Sequence, residues 1–332
     1  MSGIRRWTVL AALMALGAVA HAQAPDEPGT LDDLRQGIVG LKVEISPQAR
    51  SASMLGTERR AGGVVIDRQG LVVTAGYAIL EARSVEIMAP DGMTVPAAVV
   101  GYDAETGFGL VRALKPMAAR PIPLGDSSRA QVRQTLLILT FADGADVNSA
   151  LVVSRRTFAA YWEYLLEDAL FTAPPVREYA GAALLDHDFR LVGVGSLFVQ
   201  EAVEEGVSVP GNVFIPINAL KPILADLVKK GRAARPTRPW LGVNVTQQFG
   251  RVIVTRVTHD GPAEAAGLKP GDMIFQVGGK PVTTLESFYR ALWSQGGAGS
   301  AVPLTVLQEH DIRKLTVASR DRNGHYHTPA LD

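Results

Sequence analysis

The sequence predicts a mainly β protein, with two antiparallel barrels or sandwiches in series and then a smaller α+β unit. Three observations predict it. From Ala61 to Leu139, short β-branched runs are broken by turn residues, the spacing of an antiparallel sheet and not of parallel strands with crossover helices. The runs Ala150 to Ser154, Leu191 to Phe198 and Val213 to Pro216 repeat that texture. An Arg- and Pro-rich break, Arg232 to Pro239, reads as a solvated linker, and strands alternate with short helices beyond it. With 332 residues, 47% hydrophobic and 20% charged, the protein is long enough to bury more than one core.

Arg5-Arg6, an apolar run from Trp7 to Val19 and the small-residue site Ala20-His21-Ala22 have the order of a secretory signal cleaved after Ala22, so residues 1–22 are expected to direct export. The run is too short to favour a stable membrane span. Removing it takes Arg5 and Arg6 from 33 basic side chains, leaving 31 against 33 acidic, a balance near −2 that makes no electrostatic case for nucleic acid. Cysteine is absent, which excludes disulfides, thiol nucleophiles and thiolate metal sites.

Residues 23–36 form a polar leader in which Thr30 caps a short helix through Arg35, and Gly37 to Ile45 reads as the first strand. Ser46 to Arg60 is expected to be an exposed loop. Gly62 to Val73 is a hairpin around Asp67-Arg68-Gln69-Gly70, which runs into a tight turn at Ala75-Gly76, followed by Tyr77. Further strands are read at Val85 to Met88, Val95 to Val100, Phe108 to Val111 and Gln134 to Leu139. Phe158 to Phe171 is the densest aromatic stretch; buried, it packs a core, and exposed, it would be a protein-binding patch. Asn218 is read as the cap of a helix carrying Leu220, Ile223, Leu224, Leu227 and Val228 on one face, ended by Lys229-Lys230-Gly231.

The last unit begins at Trp240-Leu241-Gly242-Val243-Asn244-Val245. A strand follows at Val252 to Val257, a one-turn helix opens at Pro262, a strand runs from Met273 to Val277, and a helix spans Leu285 to Trp293. Val302 to Leu307 and Lys314 to Ala318 complete a sheet. His325 and His327 lie in a tail, residues 321–332, that reads as solvated; two histidines without a third ligand make no metal site.

Residues 240–320 resemble a bacterial PDZ domain. Signal, double barrel over 37–231, linker over 232–239 and PDZ together resemble the HtrA/Deg serine proteases, which implies a trypsin-like double six-stranded antiparallel β-barrel. In that family a histidine follows a Thr-Asn-Asn-like turn, an aspartate precedes an apolar run and a serine sits in Gly-Asn-Ser-Gly-Gly. The matching positions here are Tyr77, Gly107 before Phe108-Gly109-Leu110, and Ala180 in Glu178-Tyr179-Ala180-Gly181. Alanine has no nucleophile, glycine cannot hold an imidazole, and a phenol near pKa 10 is a poor base, so the resemblance implies a degenerate protease with no catalytic residues.

Glu178 is also a poor replacement for the glycine that lends the oxyanion hole an N–H. The only histidine before His187 is His21, so a working site would need a displaced pair such as His187 and Ser196, or Lys42 or Lys115 beside a serine. That rearranged endopeptidase is the alternative. The PDZ resemblance implies a groove for protein C-termini or unfolded segments, either open or blocked by the protein's own tail or barrel. Leu241, Gly242 and Val243 would take the carboxylate, Val245 would continue the edge strand, and Phe288 and Leu292 would line the pocket. It also implies a periplasmic setting in protein quality control, trimers or association with active relatives, and no cofactor; the segment before Gly37 is too polar to support the trimer from its own residues.

Overall fold

A computed structural model describes residues 29–326; the expected signal over 1–22, the first six residues of the leader and His327 lie outside them. The first closed barrel is formed by β1 (Ile38–Ile45), β2 (Glu58–Val65), β3 (Leu71–Ala75), β4 (Ala82–Met88), β5 (Thr94–Tyr102) and β6 (Phe108–Ala113), paired in the order β1-β2-β3-β6-β5-β4. The second closes as β10-β11-β12-β9-β8-β7 from β7 (Thr135–Phe141), β8 (Ala145–Ala160), β9 (Tyr164–Ala173), β10 (Ala183–Leu185), β11 (Leu191–Val199) and β12 (Gly211–Pro216).

The period-two pattern of each strand explains why both barrels form and why they stay together. Leu41, Val65, Val72, Val85 and Val111 come from five different strands and meet in one buried cluster. Ile138, Val152, Leu170, Leu184, Val192 and Phe214 do the same in the second barrel. The opposite parity, including Ile38, Val64, Val73 and Leu110 from the first barrel and Leu139, Phe171, Leu185 and Ile215 from the second, merges into a third cluster shared by both. At this seam Gly62 N–H donates to the Ala180 carbonyl at 2.7 Å.

The C-terminal sheet holds β13 (Val243–Gln248), β14 (Arg251–Val257), β15 (Met273–Val277), β16 (Lys280–Pro281), β17 (Ala301–Gln308) and β18 (Asp311–Ala318), with β13 at an edge. Short helices punctuate the fold: α1 (Leu31–Arg35), α2 (Ala52–Leu55), α3 (Gly76–Ile79), α4 (Leu224–Lys230), α5 (Pro262–Ala265), α6 (Leu285–Trp293) and α7 (Arg322–His325). Thr30 caps α1 in a reciprocal capping box with Asp33, as expected from its sequence.

Four readings are corrected. Ser46 to Arg60 is not simply an exposed loop: it contains α2, Ser51 is buried, and Arg59 inside β2 is only 7% exposed because it donates to the Tyr77 and Leu80 carbonyls at 2.8 Å. Asn218 does not cap a helix, because its side chain donates to Asp126 at 2.6 Å; a 3-10 turn at Ile217–Ala219 precedes α4, which starts only beyond Pro222. Phe158 to Phe171 takes the first of its two readings and packs the core: it is the end of β8, a three-residue turn and most of β9, with Tyr164, Leu166 and Phe171 buried and Phe158 and Trp162 packed against them. The linker is not merely solvated, since Arg235 pairs with Asp103 at 2.7 Å and Arg238 with Glu105 at 2.9 Å. The described part of the tail, 321–326, holds α7, with His325 and Tyr326 buried against Trp240, because large rings beside an apolar surface gain more from contact than from water.

Candidate functional site

β3 ends in α3, which carries Tyr77 to the cleft between the barrels. Its hydroxyl donates to the Ser196 carbonyl on β11 at 2.8 Å, and burial, with Tyr179 nearby, pushes the phenol above its ordinary pKa, so it remains a proton donor. Arg59 fixes α3 from below through the Tyr77 and Leu80 carbonyls, and burial lowers its own pKa. Gly107 sits just before β6 with φ 85°, and a β-carbon there would lie 2.8 Å from the Tyr164 hydroxyl. That hydroxyl donates to the Thr106 carbonyl at 2.8 Å.

Ala180 packs against the first barrel's cluster, and Glu178 is not among the residues of positive φ. Tyr77, Gly107, Tyr179 and Ser196 line a cavity of about 230 Å³ that is otherwise rich in rings, including Trp162, Tyr164 and Trp240. A neighbouring cavity of about 580 Å³ is bounded by Tyr77, Glu178, Tyr179 and Ala180. Among the described residues no histidine lines either one. His187 is exposed in the turn between β10 and β11; five residues of strand, about 16 Å at the usual rise, separate Leu191 at the foot of that turn from Ser196.

The six residues expected to form a peptide groove are together, and of the two expected states the groove is the one filled by the protein's own barrel. The Glu163 carboxylate, from the turn between β8 and β9, accepts hydrogen bonds from three successive amides: Leu241 N–H at 2.9 Å, Gly242 N–H at 2.7 Å and Val243 N–H at 2.9 Å. Burial raises the Glu163 pKa, while these amides and Arg322 oppose the shift. Val245 N–H donates to the Tyr161 carbonyl at 2.8 Å.

Phe288 and Leu292 on α6 are fully buried in a cluster that includes the barrel residue Leu165. Tyr289 beside them donates to the Ala160 carbonyl at 2.6 Å and accepts from Glu163 N–H at 3.1 Å. A carboxylate reaching a backbone loop about 80 residues away leaves no local pattern, so the role of Glu163 was invisible in sequence; only the tight turn between two β runs could have drawn attention to it.

His259, Asp260 and Glu264 hold their ligand atoms within 4.8 Å of one another, but all three are exposed and Arg50 lies 3.6 Å from Asp260, a cation in the place of a cation. No helix among the described residues is long and apolar enough to cross a membrane.

The family model described as "PDZ domain" matches residues 239–318, and that described as "Trypsin-like peptidase domain" matches residues 61–194. The serine protease Do-like HtrA of Lactobacillus helveticus is 27% identical over 281 residues, covering 76% of this protein and 66% of its own length. The periplasmic serine endoprotease DegP of Salmonella typhimurium is 26% identical over 266 residues, covering 74% and 54%. The sequence therefore spans between half and about two thirds of those relatives. Among solved structures, the HtrA-type protease AlgW with a decapeptide superposes with a TM-score of 0.53 at 19% identity, covering 90% of this protein and 98% of that one. The serine endoprotease from Yersinia pestis gives 0.52 at 19% identity, with 87% and 96% covered.

Proposed function

We propose that this protein, built as an HtrA/Deg-type trypsin-like barrel pair followed by a PDZ domain, is a non-hydrolysing member that binds the C-termini of other proteins in protein quality control. The observation that carries the binding reading is the convergence of the Leu241, Gly242 and Val243 amides on a single carboxylate. Three donors aimed at one anion in a water-excluded site are a carboxylate receptor, whatever molecule supplies the anion. The edge amide of Val245, pairing with a carbonyl two residues upstream of that carboxylate, is the backbone pattern an extended peptide adopts when it adds to a sheet.

The loss of hydrolysis rests on the cleft. Acyl transfer needs a nucleophile and a base within hydrogen-bond reach. The three expected positions offer Ala180, Gly107 with no room for a side chain and a Tyr77 phenol already committed to a carbonyl, and no described histidine lines the cleft beside Ser196. Relatives named as periplasmic endoproteases support export and a setting where unfolded proteins occur.

Incubating the purified protein with an unfolded casein and with a fluorophosphonate probe is expected to give neither cleavage nor label. Cleavage together with labelling abolished by Ser196→Ala would overturn the reading in favour of a rearranged endopeptidase.

A further inference from the structure

The three-residue turn Tyr161-Trp162-Glu163 ends with Glu163 at φ 57°, a left-handed position where glycine or asparagine is favoured. A glutamate here breaks the local turn rule, and its carboxylate is spent entirely on another domain. The spacing matches that of a bound peptide: the Glu163 carboxylate meets Val243 and, two residues away on each segment, the Tyr161 carbonyl meets Val245 N–H, one backbone bond in the direction a strand added to β13 would use. Leu165 contributes an apolar side chain to the same cluster as Phe288 and Leu292, and Tyr289 clasps the turn backbone on both sides.

We infer that the β8–β9 turn is a built-in ligand of the PDZ groove, and that an incoming C-terminal peptide binds by exchange. Its α-carboxylate replaces Glu163 on the three amides, and its backbone carbonyl replaces that of Tyr161 on Val245. The partner this selects is an extended peptide with a free carboxylate; an internal loop lacking an anion at that position gains nothing over the resident turn. The exchange rests on the peptide-binding function proposed for the groove.

The test uses the full-length protein and two readouts. Hydrogen exchange at the Leu241, Gly242, Val243 and Val245 amides reports the resident turn, and a fluorescein-labelled decapeptide ending in a free-acid leucine, with its C-terminally amidated twin, reports exchange. Glu163→Gly suits the left-handed turn and removes the side chain with its carboxylate, so it is expected to speed exchange at those amides and tighten the acid peptide roughly tenfold or more. Tyr289→Phe keeps its ring in the core, loses both bonds to the turn, and is expected to move both readouts the same way by less.

Unchanged exchange with unchanged peptide affinity would overturn the built-in ligand while the peptide reading stands. Faster exchange with no peptide bound by either protein would make the turn a structural clamp and overturn both. Equal affinity for the acid and amidated peptides would overturn the carboxylate exchange.

Discussion

Tyr164 and Gly107 show how far one residue can be read from its own position. Position 107 is a glycine in the sequence; the hydroxyl that lies where its side chain would point comes from 57 positions later and had no local signature. Asp126 is a second case, and it carries a pH prediction. Hydrogen bonds from the Ser128 hydroxyl and the Asn218 amide hold its carboxyl down to about 2. A folded-state pKa below the unfolded one contributes stability that is present above pH about 4 and lost as pH falls toward 2. Thermal melts by circular dichroism should therefore show Asp126→Ala melting lower than the parent at pH 5, with the difference shrinking by pH 2.5. A constant difference across that window would mean that the side chain acts by packing alone.

At the scale of elements, the decisive joints are those where two strands or loops touch through backbone. Gly181, at φ 74°, lies where a β-carbon would come within 1.9 Å of the Gly62 carbonyl oxygen and 2.7 Å of the Thr74 hydroxyl. The nearest obstacles are backbone on β2, which cannot rotate away, so Gly181→Ala is expected to cost about 3 kcal/mol or more in urea unfolding. A cost below about 1 kcal/mol would show that the barrel seam is softer than its hydrogen bonds imply. The hairpin β2–β3 and the alternating strands were legible because a period of two is a local property. The start of α4 and the folding of the linker were not, because Asn218 and Arg235 are claimed by Asp126 and Asp103, far away in sequence.

For the molecule as a whole, three units are tied by side chains that cross between them. Leu80 of the first barrel, Trp240 at the entry to the C-terminal sheet and Tyr326 of the tail form one buried cluster, and Trp240 and Arg320 exchange backbone hydrogen bonds at 3.1 Å. Arg322 adds a contact with the Trp162 carbonyl at 3.3 Å. Truncation after Arg320 removes the tyrosine from this cluster and uncovers Trp240, which should cost about 3 kcal/mol and red-shift tryptophan emission. An unchanged urea midpoint would show that the tail is an ornament on an already complete fold.

The sequence alone determined the mainly β class, the succession of two barrels and a PDZ-like unit, and the residue types at the cleft, because strand periodicity, turn residues and the chemistry of a single side chain are properties of neighbouring positions. Tertiary structure alone decided that the peptide groove is filled, that the linker and tail are anchored, and that Glu163 is the anion on the Leu241 to Val243 amides. Those outcomes depend on desolvating a charge or a ring against a partner many residues away, and no window of local sequence records which partner the folded protein will supply.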